Sequence, residues 1–298
     1  MTLQVQSVIY KNKKESLMKA MRALQQAVTV YEKLAGSCEV SLIYGDASPD
    51  PVLSDRDIEL IKEELKGKIN FTYRFFDLNT GTARGHNMLG ESCTTDFMMI
   101  MNPDIIVEPR CLFHLLKPFE DEKIAMTEAR QTPLEHAKEY DTRTGETEWA
   151  STACTIFRNS VFREINGFDY ETFFMYCDDL DFSWRIRLQG YKILYVPSAI
   201  AYHSKTLSLS GGWEPTKAEI YYSAEAAILL AYKWSNEERA EHLCNLFLKQ
   251  GCLEEKKAAK EFQKRYSENR LPQKVDSDHQ IARFIGDDYC AMRYHFKH

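Results

Sequence analysis

The run Phe97-Met-Met-Ile-Met101, cut off by Asn102-Pro103-Asp104, constrains this chain more than any other stretch. Five apolar residues in succession, bounded by polar ones, predict a strand buried on both faces, which belongs in the middle of a mostly parallel sheet covered by helices. Pro103 fixes its own φ and drives Asn102 into an extended conformation, so the strand ends there with the Asp104 carboxylate just past its C-terminal edge. Ligands of open α/β sheets bind at that edge. The same tripeptide also reads as an ordinary Asn-Pro turn, and only the surrounding segments separate the two readings.

Those segments supply a repeating pattern. Val5 to Tyr10 reads as a first strand, Glu15 to Leu34 as a helix with Leu17, Met21, Leu24, Ala27, Val28 and Tyr31 on one face, and Glu39 to Tyr44 as a second strand. Strand, helix, strand is the unit of a parallel sheet. The second strand runs into Gly45-Asp46-Ala-Ser-Pro-Asp50, dense in turn formers, and is followed by a helix over 55–65 and a third strand over 71–76. Next comes Asn79-Thr-Gly81-Thr-Ala-Arg84-Gly85-His-Asn87-Met-Leu-Gly90, whose small residues either let backbone amides approach an anion at a helix N-terminus or let the helix pack closely on the sheet. It lacks the Gly-Lys-Ser/Thr of a phosphate-binding P-loop and the glycine spacing of the dinucleotide fingerprint.

A second acidic feature lies far downstream. Asp178, Asp179 and Asp181 fall at the start of a helix in which Leu180, Trp184 and Leu188 recur at helical spacing. One or two carboxylates there would serve the cap and the helix dipole. Three in four residues exceed that need, and their repulsion together with burial raises at least one pKa toward a value useful to a general base. His203 closes an apolar stretch over 191–203 that reads as a strand pair or a broken strand. Between these blocks, 108–116 predicts a short helix and 130–149 a long loop containing Trp149, which either stacks on a sugar or packs on the sheet.

Taken in order, Asn79-x-Gly81-x-Ala83-x-Gly85-x-Asn87, Asn102-Pro103-Asp104, Gly167-Phe168-Asp169 and Asp178-Asp179-x-Asp181 resemble glycosyltransferase family 2 over residues 3 to 210 or so. The likeness is to rhamnosyltransferase-like members that carry Asn-Pro-Asp where others have Asp-x-Asp. It implies an α/β GT-A fold, with a Rossmann-like, mostly parallel central sheet flanked by helices. The catalytic region would span 1–212, with a nucleotide-sugar half over 1–107 and an acceptor half over 108–212, followed by a C-terminal helical region over 213–298. The implied activity is inverting, metal-dependent transfer of a sugar to a glycan or lipid-linked saccharide in bacterial surface polysaccharide synthesis. dTDP-rhamnose is the first choice of donor, with a UDP-hexose or UDP-galactofuranose next.

The resemblance also assigns residues. Asp104 and His203 would hold magnesium or manganese against the diphosphate, because a departing nucleoside diphosphate develops negative charge that a divalent cation stabilises. Asp179 would be the base, with Asp178 and Asp181 beside it. Tyr10, Asp46, Gly81, Arg84, Asn87, Asn102 and Lys205 would contact the donor, and Trp149, Gly167 and Phe168 the acceptor. Three departures from the family stand out: Gly45-Asp46 replaces the usual acidic pair, Asn102 is neutral, and Tyr221 to Ala226 replaces a common Arg-Asn signature.

Composition narrows the alternatives. The 298 residues carry a formal charge of -6, against the basic footprint of a dedicated nucleic-acid binder. No run of 18 apolar residues and no signal-peptide pattern predict a cytoplasmic protein, and Lys256, Lys257, Lys260, Lys264 and Arg265 leave peripheral contact with the inner face of the membrane open. The eight cysteines contain no C-x-x-C pair and read as reduced thiols. The helical patterns over 218–234, 236–248 and 253–266 also suit a homo-oligomer interface. Two other classes stay in view, a nucleotidyltransferase of related architecture and a non-catalytic sugar-binding scaffold. The first should have a glycine-rich basic loop after strand one, where Tyr10-Lys-Asn-Lys-Lys-Glu15 has no glycine, and the second should have lost the carboxylates.

Overall fold

The computed structural model describes residues 1–133, 139–204 and 215–284. Its centre is one sheet of the strands β1 (Thr2–Ile9), β2 (Glu39–Asp46), β3 (Ile69–Phe75), β4 (Phe97–Met101), β5 (Ile105–Val107), β6 (Ile124–Thr132), β7 (Glu146–Thr147), β8 (Cys154–Arg158) and β9 (Lys192–His203). The order across it is β3-β2-β1-β4-β8-β6-β9-β5, with β7 beside β9. The β3-β2-β1-β4 half is parallel throughout. The other half is mixed: β8 runs antiparallel to both β4 and β6, and β9 runs parallel to β6 and antiparallel to β5.

The pleat of β4 explains why its sequence is apolar without alternation. Met99 and Met101 enter the core on one face of the sheet, and Met98 and Ile100 enter the core on the other. The first face is covered by α1 (Lys14–Ala35), α2 (Asp55–Leu65) and α4 (Cys111–Leu116). The buried residues of α1, Leu17, Ala20, Met21, Leu24, Ala27 and Val28, recur every three or four positions, and each larger one contributes about 2 kcal/mol by leaving water. The second face is covered by α3 (Gly81–Gly90), α5 (Asn159–Glu164) and α6 (Asp178–Leu188), through Ala83, Val161, Phe162, Phe182 and Ile186.

The C-terminal region consists of α7 (Lys217–Lys233), α8 (Glu237–Gln250) and α9 (Leu253–Ser267). It has no core of its own. Ile228, Leu230 and Trp234 pack in one cluster with Trp149, Phe173, Leu180 and Trp184, so the outer side of α6 is the floor of the helical layer. Among the described residues no helix is long and apolar enough to cross a membrane.

One stretch departs from expectation. The region 130–149 is not a continuous loop, because β6 extends to Thr132 and β7 occupies Glu146–Thr147. The strand is not legible there because the pattern is polar: Thr127, Gln131 and Thr147 are buried through hydrogen bonds rather than by apolarity.

The turn into α3 is set by a close backbone approach. Gly81 has φ +65, and a Cβ there would stand 2.2 Å from the carbonyl oxygen of Phe174, which accepts from the Thr82 amide at 3.1 Å. Gly81→Ala should therefore lower the unfolding free energy in urea by about 2 kcal/mol or more, since neither the left-handed conformation nor the space suits a side chain. A loss below about 0.5 kcal/mol would refute this account of the turn.

Candidate active site

The Asn102-Pro103-Asp104 segment is a tight turn, closed by the Ile105 amide donating to the Asn102 carbonyl at 3.0 Å, and it joins β4 to β5. Pairing of Ile105 with His203 in the antiparallel β5–β9 ladder brings Asp104 beside the end of β9. His203 Nε2 lies 3.3 Å from Asp104 Oδ2, with the histidine buried and the aspartate side chain 34% exposed. His203 Nδ1 faces Gln131 Oε1 at 2.8 Å, and Gln131 Nε2 donates to Ser151 at 3.3 Å. With an amide oxygen on that side Nδ1 is the donor, and Nε2 is the ring nitrogen turned toward the carboxylate.

A divalent cation would fit between Asp104 and His203: the carboxylate suits manganese or magnesium, the imidazole nitrogen favours manganese of the two, and the glutamine orients the ring as outer partners of metal-bound histidines do. Among the described residues no cluster of three or more His, Cys, Asp and Glu forms, so phosphate oxygens and water would complete the shell.

The acidic block forms a second pole. Tyr176 and Cys177 both have positive φ, at 68° and 54°, and this sharp turn starts α6 at Asp178. Asp178 is 6% exposed and accepts from the Thr82 hydroxyl on α3 at 3.0 Å. Burial raises its pKa to about 6, against the opposing effect of that hydroxyl and of nearby amides. Asp179 is half-buried and accepts from the Leu180 amide at 2.9 Å.

Asp181 does not belong beside them as a reacting group. It is fully buried, and its oxygens meet Lys233 at 2.6 Å, Arg185 at 2.8 Å and the Trp234 indole at 3.1 Å. Lys233 also pairs with Asp169 at 2.7 Å. Burial alone would raise the Asp169 pKa, but Lys233 and Thr172 outweigh it and hold the carboxyl below its ordinary value. Sequence reasoning missed Lys233, Gln131 and Thr82, which carry no motif and act only through long-range packing.

Several expected donor contacts are spent on the fold. Asp46 is 0% exposed and accepts from the Ser48 amide at 2.9 Å, the Val52 amide at 2.7 Å and the Tyr73 hydroxyl, so it folds its own loop instead of facing a base. Gly81 is met by Phe174, and a Cβ at Gly85 would collide with Val8 at 2.6 Å, so these glycines serve packing. Asn87 uses both ends of its amide on the backbone of Phe168, each at 2.8 Å. Arg84 is exposed on the flank of α3, 5.9 Å over the Tyr170 ring. Tyr10 is exposed at the end of β1, at the same sheet edge as Asn102. Lys205 lies outside the described residues.

On the acceptor side, Trp149 is 7% exposed within the helical cluster, which removes it as an open stacking face. The Phe168 ring stacks on Phe182 at 4.3 Å inside the core, and its backbone groups are held by Asn87, so it shapes the loop without offering hydrogen bonds. Gly167 has φ +66 and lies against Asn87, where a Cβ would meet Oδ1 at 2.5 Å.

The fold, a parallel half-sheet joined to a mixed half and flanked by helices, is like that of solved GT-A glycosyltransferases. The solved structure of GalNAc-T7 with UDP, GalNAc and Mn2+ matches 92% of the chain and 59% of that protein, with a TM-score of 0.60 and 15% identity, a likeness of fold. The N-acetylglucosaminyl-diphospho-decaprenol L-rhamnosyltransferase of Mycobacterium tuberculosis is 36% identical over 92 residues, which is 31% of this chain and 29% of that enzyme. The poly-beta-1,6-N-acetyl-D-glucosamine synthase of Staphylococcus aureus (strain COL) is 27% identical over 183 residues, 54% of this chain and 43% of the synthase. The matches thus span less than half the length of both relatives. No protein-family profile matches the chain.

Two outcomes follow from the acidic pole. Lys233→Met should destabilise the fold by about 3 kcal/mol in urea titration, because Asp181 would keep only Arg185 as a cationic partner and Asp169 would lose its lysine; a loss under about 1 kcal/mol would contradict the pairing. Asp178 has a folded pKa raised above its unfolded value, so the stability it contributes is full below about pH 4 and is lost as pH rises through about 6. Relative to wild type, Asp178→Asn should accordingly gain about 1 kcal/mol in unfolding free energy between pH 5 and pH 7.5. A pH-independent difference would show that burial does not perturb this carboxyl.

Proposed function

We propose that the protein transfers a sugar from a nucleotide-sugar donor to a hydroxyl of a saccharide or lipid-linked saccharide acceptor. The observation that carries this reading is the Asp104–His203 pair, 3.3 Å apart at the sheet edge, with its ring orientation fixed by Gln131. Asp104 and His203 would hold magnesium or manganese there, and the bound ion would stabilise negative charge on the departing diphosphate.

The remaining chemistry falls to the start of α6. Asp179 takes the proton from the acceptor hydroxyl as its oxygen bonds to the anomeric carbon and the bond from that carbon to the diphosphate oxygen breaks. A single in-line displacement inverts the anomeric centre. Asp178, anchored to Thr82, supports Asp179, while Asp181 and its cations fix the helix that presents both. Tyr10 and Asn102 at the sheet edge are the remaining donor contacts. dTDP-rhamnose is the first donor to test, supported by the rhamnosyltransferase similarity, and UDP-sugars are next, supported by the fold likeness to a UDP-bound enzyme.

The test is a thermal-shift panel of nucleotide sugars with and without manganese, followed by turnover of the best donor. A ligand that binds only the folded state raises the melting temperature with the logarithm of its saturation. Asp179→Asn should reduce transfer by roughly 10³-fold while the manganese-dependent donor shift persists. Unchanged transfer in Asp179→Asn, or the same loss in Asp178→Asn alone, would move the base. Absence of any nucleotide-sugar shift would remove the proposed function.

A further inference from the structure

On the flank of the molecule, away from the Asp104–His203 pair, α3 and the end of α5 enclose an open groove of about 490 Å³. Its wall on α3 is built by Arg84, Met88 and Glu91, at i, i+4 and i+7 on one helix face; Arg74 enters from β3, and Arg163, Asn166, Gly167 and Tyr170 line the opposite side. Three guanidinium groups thus share one concavity with a single carboxylate, on a chain whose formal charge is -6.

None of the three forms an ion pair among the described residues, although elsewhere Arg22, Arg185 and Arg265 each face a carboxylate. Arg163 is held in place by the Gly90, Glu91 and Cys93 carbonyls, each at 2.8 Å, and Arg74 by the Met88 carbonyl at 3.0 Å. Carbonyls orient a guanidinium without neutralising it. Arg84 has no hydrogen-bond partner among the described residues; it stands 5.9 Å from the centre of the Tyr170 ring, a side chain 43% exposed. The groove therefore presents positive charge that is oriented by carbonyls at Arg163 and Arg74, together with Arg84, an amide and an aromatic face, in a volume suited to a small polar ligand.

Its position specifies the ligand further. Gly167 and Asn166 are the groove's inner lip, continuous with the loop that Asn87 braces beside the start of α6. We infer that this groove binds an anionic group, a phosphate or a carboxylate, carried on the saccharide acceptor, with Arg84 and Arg74 as the contacts and Tyr170 under a sugar ring. The inference rests on the transferase reading for the word acceptor, while the binding itself is measurable without turnover.

The experiment titrates the full chain by calorimetry with glucose 1-phosphate, glucuronic acid, inorganic phosphate and glucose, in wild type and in Arg84→Gln and Arg74→Gln variants. Saturable binding of glucose 1-phosphate or glucuronic acid, weakened about tenfold or more in each variant and by raised salt, supports the proposal; which of the two binds tells phosphate from carboxylate. Inorganic phosphate binding as tightly as the acidic sugars would overturn the saccharide part. Equal affinities in wild type and both variants would overturn the groove. Donor binding is followed in parallel: loss of the nucleotide-sugar shift in Arg84→Gln would return Arg84 to the donor and refute the assignment. Absence of any donor shift in wild type would instead remove the transferase reading and leave the groove's own titration standing.

Discussion

Two carboxylates and two cations close on one another between α6, α7 and the turn after Phe168, and the acceptor side of the molecule depends on that contact. Asp181 is fully buried between Arg185 and Lys233, and Lys233 reaches on to Asp169. A buried carboxylate without compensation costs several kcal/mol, so the start of α6 can be held in the interior only while α7 supplies its lysine. The C-terminal helices are then a structural condition for presenting Asp178 and Asp179, and the boundary drawn near residue 212 separates elements that share one core.

The helix α3 plays the matching part on the other side. Its first turn is pressed against Phe174, its Thr82 anchors Asp178, and its Asn87 clamps Phe168. The glycines and asparagine of that segment, which read either as a ligand loop or as close packing of the helix, join the parallel half of the sheet to the acidic helix. Close contact between two backbones needs residues without side chains as much as phosphate binding does, which is why the pattern is ambiguous in one dimension.

The elements with strong periodicity were legible in the sequence: the apolar run of β4, the face of α1, the three C-terminal helices, and an acidic residue at the end of the central strand. Asp104 and His203 were readable as partners only through family likeness, since 99 positions separate 104 from 203 and the ladder that joins them is three residues long on the β5 side. Asp46, read as a donor contact, and Trp149, readable either as a sugar platform or as packing, are hard to place from sequence for a common reason. Each is a residue type that binds nucleotides or sugars when exposed, and neither exposure nor the loop amides that consume a carboxylate is written in local sequence. Gln131 and Lys233 were missed because their roles exist only across strand pairing and helix packing.

The long strand β9 keeps step with β6 from Ile193 opposite Met126 to Val196 opposite Ala129, and resumes at Ile200 opposite Arg130, so that 197–199 form an extra segment before the strand reaches His203. From the segment's last residue, Ala199, onward the side chains alternate strictly, with Ala199, Ala201 and His203 buried and Ile200 and Tyr202 exposed. Because a pleat has period two, changing the length of that segment by one residue would turn the imidazole to the far face of the sheet, whereas a change of two would leave its direction intact. Length variation among relatives of this chain should therefore respect parity at this point, a constraint on insertions and deletions that no comparison of residue types at single positions would reveal.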